Sequence, residues 1–306
     1  SGPTLRMLAD TDFPAQLEAD PILGAAFLAE RGKVDFRFFC RELLGFKEMN
    51  AEHDALCEFL QEEPAPVKLM LMPRYTFKSS IITIGHTLWT LANDPNARLL
   101  LYSDATEKAE GFLLGIKAHL TGSVPRSLFR AVYGPWEVDP KRGVWNQGAI
   151  TVAVRTHAHV EPSVDTAGVE TSKVGKHYSR LKFDDLVSDK NVTTKELMDK
   201  VESVYRNAGS LLQPSGKVDL AGTRWHYGDL YGRLISHYRG DPHFALFLRK
   251  AIDGTCYVFQ DIGTESLTPA FLAKKKADQG SYVFSCLYLN EPGDDDTATF
   301  KVSDFA

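Results

Sequence analysis

Cysteine is scarce in this 306-residue sequence: Cys40, Cys57, Cys256 and Cys286 are scattered and form no C-x-x-C pair. That spacing argues against structural zinc and reads as reduced thiols in a cytoplasm. No apolar run approaches the length of a membrane span, and no signal peptide is visible. Charge of neither sign dominates, since 35 Lys and Arg stand against 40 Asp and Glu. A formal charge of −5 excludes coating a nucleic acid by bulk charge, but not a local basic surface. Internal repeats are absent. The length suits one large or two ordinary domains. Ser1-Gly2-Pro3 reads as a tag scar.

Glycine is also missing from one telling place. Met72-Pro73-Arg74-Tyr75-Thr76-Phe77-Lys78-Ser79-Ser80 follows the apolar run Val67–Leu71 and precedes Ile81-Ile82-Thr83-Ile84. A buried strand, a short loop ending in Lys-Ser and then a helix is the layout of a phosphate-binding loop. Backbone N–H groups there face the phosphates, Lys reaches the β/γ oxygens, and the hydroxyl binds Mg²⁺. Both glycines of G-x-x-x-x-G-K-[ST] are replaced, by Met72 and Phe77. Glycine supplies φ > 0 and close backbone approach. Its loss predicts a wider loop or weak nucleotide binding. The plainer reading of Lys78-Ser79-Ser80 is a Ser-capped helix start.

Along the chain, the first fifty residues read as helices, with Phe36, Phe38, Phe39, Leu43 and Leu44 on a buried face. A second helix fits Ala51 to Gln61. Strands fit Val67–Leu71, Arg98–Tyr102, Ala149–Val154, Leu181–Phe183 and Val218–Ala221. Helices fit Ser79–Leu91, Thr106–Leu120, Thr193–Ala208 and Asp229–Tyr238. Alternation of this kind implies a mainly parallel sheet covered by helices, with ligands at the carboxyl ends of the strands. Phe244–Leu248 and Cys256–Gln260 flank Asp253-Gly254 and read as a hairpin. Thr268-Pro269 caps a helix carrying Lys274-Lys275-Lys276. The turn-rich acidic end, with Asp294-Asp295-Asp296, reads as a linker.

An ATPase needs a phosphate cradle, a carboxylate for Mg²⁺ and a second group to position water. Phe183-Asp184-Asp185-Leu186 is a short apolar stretch ending in two acids, although Arg180 and Lys182 interrupt the strand. Its other reading is an exposed turn or helix cap. Leu220-Ala221-Gly222-Thr223-Arg224-Trp225-His226 ends a strand in a hydroxyl, a cation and an aromatic. There Thr223 is placed to sense a γ-phosphate, or the segment is a tight turn with a core Trp.

The order of these three segments resembles the ATPase domain of the large terminase subunit of tailed bacteriophages. Leu99-Leu100-Leu101-Tyr102-Ser103-Asp104-Ala105-Thr106-Glu107 and Glu161-Pro162-Ser163-Val164 fit it too. So does Gly175-Lys176-His177-Tyr178. The stretch from Gly222 to Leu234 is the most specific match. The resemblance covers roughly residues 50 to 300. It implies a three-layer α/β P-loop NTPase of RecA-like (ASCE) type with a small lid subdomain. The expected parts are an N-terminal helical segment (1–62), the ATPase core (63–242), a hairpin and helix lid (243–290) and a linker toward a nuclease domain (291–306). The N-terminal helices are expected to join that lid.

By the same resemblance, Tyr75, Thr76, Phe77, Lys78 and Ser79 hold ATP, and Ser79 and Asp184 hold Mg²⁺. Asp185 is the catalytic carboxylate, Arg74 a phosphate sensor or arginine finger, and Thr223 the coupling residue. His53, next to Glu52, corresponds to an adenine-contacting position, with a surface helix as its other reading. Implied partners are double-stranded DNA, the portal protein and the small terminase subunit. The implied state is a homo-oligomeric ring on the portal, or a monomer in solution, in the host cytoplasm and with no membrane. Arg74, Arg224 and Arg233 are the cations a neighbouring subunit would receive. Lys173, Lys176 and Arg180, and Lys274 to Lys276, are the clusters open to DNA phosphates or to solvent. Two alternatives stay open: a nucleotide-degenerate module that docks to portal or DNA, and a related nucleic-acid translocase.

Overall fold

The computed structural model describes residues 20–171 and 173–293. Ser1-Gly2-Pro3 and Asp294-Asp295-Asp296 lie outside them. Among the described residues, nine strands follow in order: β1 (Val67–Leu71), β2 (Leu99–Ser103), β3 (Ala149–Ile150), β4 (Val164–Gly168), β5 (Tyr178–Asp184), β6 (Leu212–Gly222), β7 (Phe244–Leu248), β8 (Ile252–Asp253) and β9 (Cys256–Tyr257). Seven make one sheet in the order β3-β4-β2-β5-β6-β1-β7. Every pair in it is parallel except β3 with β4. The chain leaves β1 toward β2 and later returns past it from β6 to β7. That reversal opens a crevice at the carboxyl end of β1, where α/β sheets bind ligands.

Helices cover both faces, so the strands bury side chains in both directions. Met70, Leu99 and Leu101 point into one cluster, and Leu69, Leu71, Leu100 and Phe183 into the other. The first cluster holds α1 (Pro21–Val34), α2 (Phe36–Phe38, continued by a π-turn over Phe39–Leu43) and α3 (Ala51–Glu62). It also holds α4 (His86–Asn93) and α5 (Thr106–Thr121), with α6 (Phe129–Tyr133) behind them. The second is covered by α7 (Lys195–Ala208) and α8 (Leu230–His237). At the C-terminal side, α9 (Pro269–Gln279) and α10 (Ser281–Phe284, continued by a π-turn over Ser285–Leu289) close onto the first cluster. Among the described residues, no helix is long and apolar enough to cross a membrane.

Several expectations change. Phe244–Leu248 is not a hairpin arm but β7, parallel to β1, so the core sheet runs past residue 242. The hairpin at Asp253-Gly254 is real but tiny: β8 pairs with β9, and Gly254 takes the positive φ its turn requires. Strand β4 is not among the strands expected from sequence, and only Ala149–Ile150 of Ala149–Val154 is strand. The N-terminal helices join the flank of the sheet, because Leu28, Phe36, Phe39 and Leu43 share a cluster with the strands. They also touch the C-terminal segment: the Asn50 amide donates to Val258 O (2.9 Å) and Asp261 Oδ1 (2.8 Å), Glu52 pairs with Arg249, and the His53 ring lies 5.6 Å from Phe259.

Candidate functional site

β1 and β5 end on either side of β6. The carboxyl ends of these three strands carry every expected site residue except His53. Asp184 is the last residue of β5, and its carboxylate points at the helix that follows the β1 loop. Ser79 Oγ donates to Asp184 Oδ1 at 3.0 Å, and Thr83 Oγ1 donates to Asp184 Oδ2. Thr83 is the site residue that sequence reading missed. The signal was there: Thr83 lies four residues after Ser79, hence one helical turn on.

Asp185 turns the other way. Its backbone is left-handed (φ 49°) and its N–H donates to Ala221 O at 2.9 Å. The turn brings Asp185 Oδ1 to 3.7 Å from Lys78 Nζ, an ion pair longer than a hydrogen bond. That oxygen is buried and has no hydrogen-bond partner in the protein. Burial, and then the Asp185 charge, push the Asp184 carboxyl up to about 6; Lys78, Thr83 and Ser79 pull it back only in part. Thr223 follows Gly222, the last residue of β6, and is buried. Gly222 is in register with Leu71, so Thr223 stands beside the start of the β1 loop.

The loop itself meets the demand that glycine would have met. Tyr75 has φ 63° and Phe77 φ 51°, the left-handed conformation expected of glycine. An L-residue there costs roughly 1–2 kcal/mol, so surrounding contacts must impose it. Thr76 Oγ1 donates to Pro73 O (2.7 Å), and the Arg74 N–H donates to Leu287 O (3.0 Å). The Phe77 ring lies edge-on to His53, with centroids 6.1 Å apart. Arg74 and Tyr75 form a turn that carries Thr76 back over Pro73, while among the described residues no acceptor takes the N–H groups of Tyr75 or Phe77. Free N–H groups on a partly left-handed loop are the kind of backbone that can cradle an anion.

His53 does not stand on a surface helix. It is fully buried, its Nδ1 accepts from the Asn50 N–H (3.0 Å), and its Nε2–H donates to Thr76 O (2.9 Å). Those bonds fix a neutral Nε2–H tautomer, and burial holds its pKa below the ordinary value. In this structure His53 braces the loop from behind.

The cations divide sharply. Arg224 is bound to Asp229 (3.0 Å) and to the His226 and Tyr227 carbonyls, and Arg233 pairs with Asp199 (2.7 Å) and Glu202. Arg74 is exposed, faces Trp225 at 6.0 Å and has no carboxylate partner among the described residues. Tyr75 beside it packs edge-on to Phe271. Lys173 and Lys176 are ion-paired to buried Asp165 (2.9 and 2.7 Å), and Arg180 to buried Asp219 (2.8 Å). They form neither an open cationic track nor a solvated face. Lys274 and Lys276 are exposed.

Hard cations take oxygen ligands, and Mg²⁺ usually needs only one or two carboxylates beside water and phosphate. Ser79 Oγ, Asp184 and the unpartnered Asp185 oxygen fit that donor set. Among the described residues, no cluster of three or more His, Cys, Asp or Glu forms a fuller cage. An ammonium, two hydroxyls, free N–H groups and two unlike carboxylates thus face one crevice.

No family model and no curated protein sequence matches the chain. Solved structures do. The large terminase ATPase domain of Thermus phage P74-26, in a mutant form, aligns over 82% of this chain and 96% of its own, with 13% identity and a TM-score of 0.51. The large terminase of a second thermophilic bacteriophage aligns over 80% of this chain at 7% identity and a TM-score of 0.50. The match spans 53% of that terminase chain. At such identities the shared property is the fold, which is that of large terminase ATPase domains.

Proposed function

We propose that this chain is the ATP-hydrolysing motor domain of a viral large terminase, driving double-stranded DNA into a procapsid. One observation carries the reading. Ser79 and Asp184, 105 residues apart in sequence, meet at 3.0 Å, beside the Lys78–Asp185 pair at 3.7 Å. The fold shared with large terminase ATPase domains supports it.

In this reading the loop N–H groups and Lys78 hold the β- and γ-phosphates of ATP. Ser79 and Asp184 would hold Mg²⁺, which when bound neutralises phosphate charge. Asp185 orients a water and takes its proton as the oxygen attacks the γ-phosphorus. The bond to the β–γ bridging oxygen breaks, and ADP leaves with it. Thr223 reports the loss of the γ-phosphate to β6. Arg74 is the cation free to approach phosphate, in its own subunit or a neighbour's. Duplex DNA, the portal, the small terminase subunit and a ring of copies in the host cytoplasm belong to the same proposal.

Calorimetry with ATP and Mg²⁺, followed by turnover assays of Lys78→Ala and Asp185→Ala, tests it. Millimolar-or-better binding and loss of turnover in both variants are expected. Unchanged turnover in both would refute catalysis here. Absence of binding heat would favour a docking module that has lost nucleotide.

A further inference from the structure

Below the nucleotide crevice lies a buried ionic cluster that no step above uses. Lys182, Asp219 and His86 are each about 1% exposed. Lys182 is two residues before Asp184 on β5, so both side chains leave the same face of the strand. Both meet the segment that follows the phosphate loop. Asp184 takes Ser79 and Thr83, and Lys182 reaches further along the helix to Ile82 O (2.7 Å) and His86 Nδ1 (2.9 Å). The third ammonium proton goes to Asp219 Oδ2 at 2.9 Å, directly across on β6. Three donors meet three acceptors, the full capacity of a lysine.

The contact with Ile82 O has a specific cause. Ser80–Gly85 is a π-turn, and the His86 N–H bonds back to Ile81 O. In an α-helix that N–H would take Ile82 O instead. The widened turn therefore strips Ile82 O of its helical donor, and the Lys182 ammonium replaces it. Closing the π-turn into α-helix would rotate one side of it relative to the other by about 100°. Thr83, inside the turn, would then leave Asp184.

We propose that Lys182 is a positioning residue of the nucleotide site: it clamps the π-turn and so keeps Ser79 and Thr83 aimed at Asp184. The clamp spans three elements that meet at the crevice, since Asp219 shares the β6 face of Ala221 and Thr223. A buried ion pair usually contributes little more stability than an apolar replacement. Its effect here falls on the register of the helix. The inference rests on the nucleotide reading for its consequence, though not for its geometry.

The test is Lys182→Met, which keeps the side-chain length and leaves Asp219 paired with Arg180. Amide hydrogen exchange over Ile82–Thr87 needs no nucleotide and should accelerate. ADP affinity in EDTA should stay within about twofold, while the gain in affinity on adding Mg²⁺ shrinks. Turnover should fall about 100-fold with KM for ATP little changed, as expected for misplacement by about 1 Å. Wild-type exchange together with wild-type Mg²⁺ dependence would overturn the proposal. If Lys182→Met does not fold, the double variant Lys182→Met/Asp219→Asn removes the remaining buried carboxylate charge while keeping an amide oxygen for Arg180. It should show the same site defects, and normal Mg²⁺ dependence in it would also overturn the clamp. A wild-type protein that binds no nucleotide would instead refute the nucleotide reading. Exchange would then decide the clamp alone, accelerated supporting it and unchanged overturning it.

Discussion

Asp184→Asn should make this protein more stable. Asp184 is buried, and burial together with the Asp185 charge lifts its carboxyl from the ordinary 3.8 to about 6. A carboxyl whose pKa rises on folding holds its proton more tightly in the folded chain. As pH climbs from about 4 to about 6 the unfolded chain ionises first, so stability falls across that window and stays lower above it. About two pH units at about 1.4 kcal/mol each give roughly 3 kcal/mol at neutral pH. Asparagine has the same shape without the charge, and the Ser79 and Thr83 hydroxyls can turn to serve its amide. The expected gain is about 2–3 kcal/mol at pH 7.5, or about 5 °C in Tm for a domain of this size, and none at pH 4. Urea denaturation in EDTA, wild type against variant at both pH values, isolates Asp184 because all other groups are common to both. Equal or lower stability of Asp184→Asn at pH 7.5 would refute the reasoning, as would a gain that persists at pH 4. On the proposed function, the same variant should also lose Mg²⁺-dependent nucleotide binding.

Other perturbations have equally definite outcomes. A Cβ at Gly222 would come within 2.6 Å of the buried Tyr231 ring, so Gly222→Ala should cost about 1–3 kcal/mol in a urea melt. Burial lowers the His119 pKa to about 4, so its contribution is complete above about 6.5 and is lost as pH falls toward 4. His119→Gln should therefore lose less stability than wild type between pH 7 and pH 4.5, by up to about 3 kcal/mol. Lys176→Met removes one of three side-chain partners of buried Asp165 and should cost about 1–3 kcal/mol. If the chain binds DNA as proposed, the variant should leave the salt dependence of that binding unchanged, whereas loss of a phosphate-contacting lysine would flatten it.

What the sequence made legible follows from where each element finds its partners. β2 is a continuous apolar run that hydropathy alone locates, and β1 is interrupted only by Lys68, whose buried ammonium donates to Leu60 O at 3.0 Å. β4, β5 and β6 carry Asp165, Arg180, Lys182 and Asp219 inside the strands, which breaks the apolar pattern. In the fold those charges neutralise one another: Lys182 and Arg180 meet Asp219, and Lys173 and Lys176 meet Asp165. The partner of Lys182 lies 37 residues away, beyond any local window. Phe244–Leu248 is legible as a strand but its pairing is not, since its partner β1 is remote while the Asp253-Gly254 turn is close at hand. The motif order located the crevice because strand, loop and acid are each local signals. The π-turn and the bracing role of His53 are tertiary and left no such mark.

The absent glycines now have a physical meaning. Four non-glycine residues among those described have positive φ: Tyr75, Phe77, Asp185 and Asn290. Three lie within the loop after β1 or the acid pair, and the fourth accepts the Arg224 N–H from the loop after β6 at 3.1 Å. Unfavourable backbone persists only where its surroundings over-determine it. Here the surroundings are named: His53 on Thr76 O, Leu287 O on the Arg74 N–H, and Ala221 O on the Asp185 N–H. A glycine would reach the same conformations freely but would also sample others. Phe77, held by its packing, gives up that freedom, so the loop presents its N–H groups already arranged. Replacing Phe77 by glycine would relax the backbone and remove the contact with His53 together. The two effects oppose each other, and the loop trades local strain for a fixed geometry at the point where strand ends, acids and cation meet.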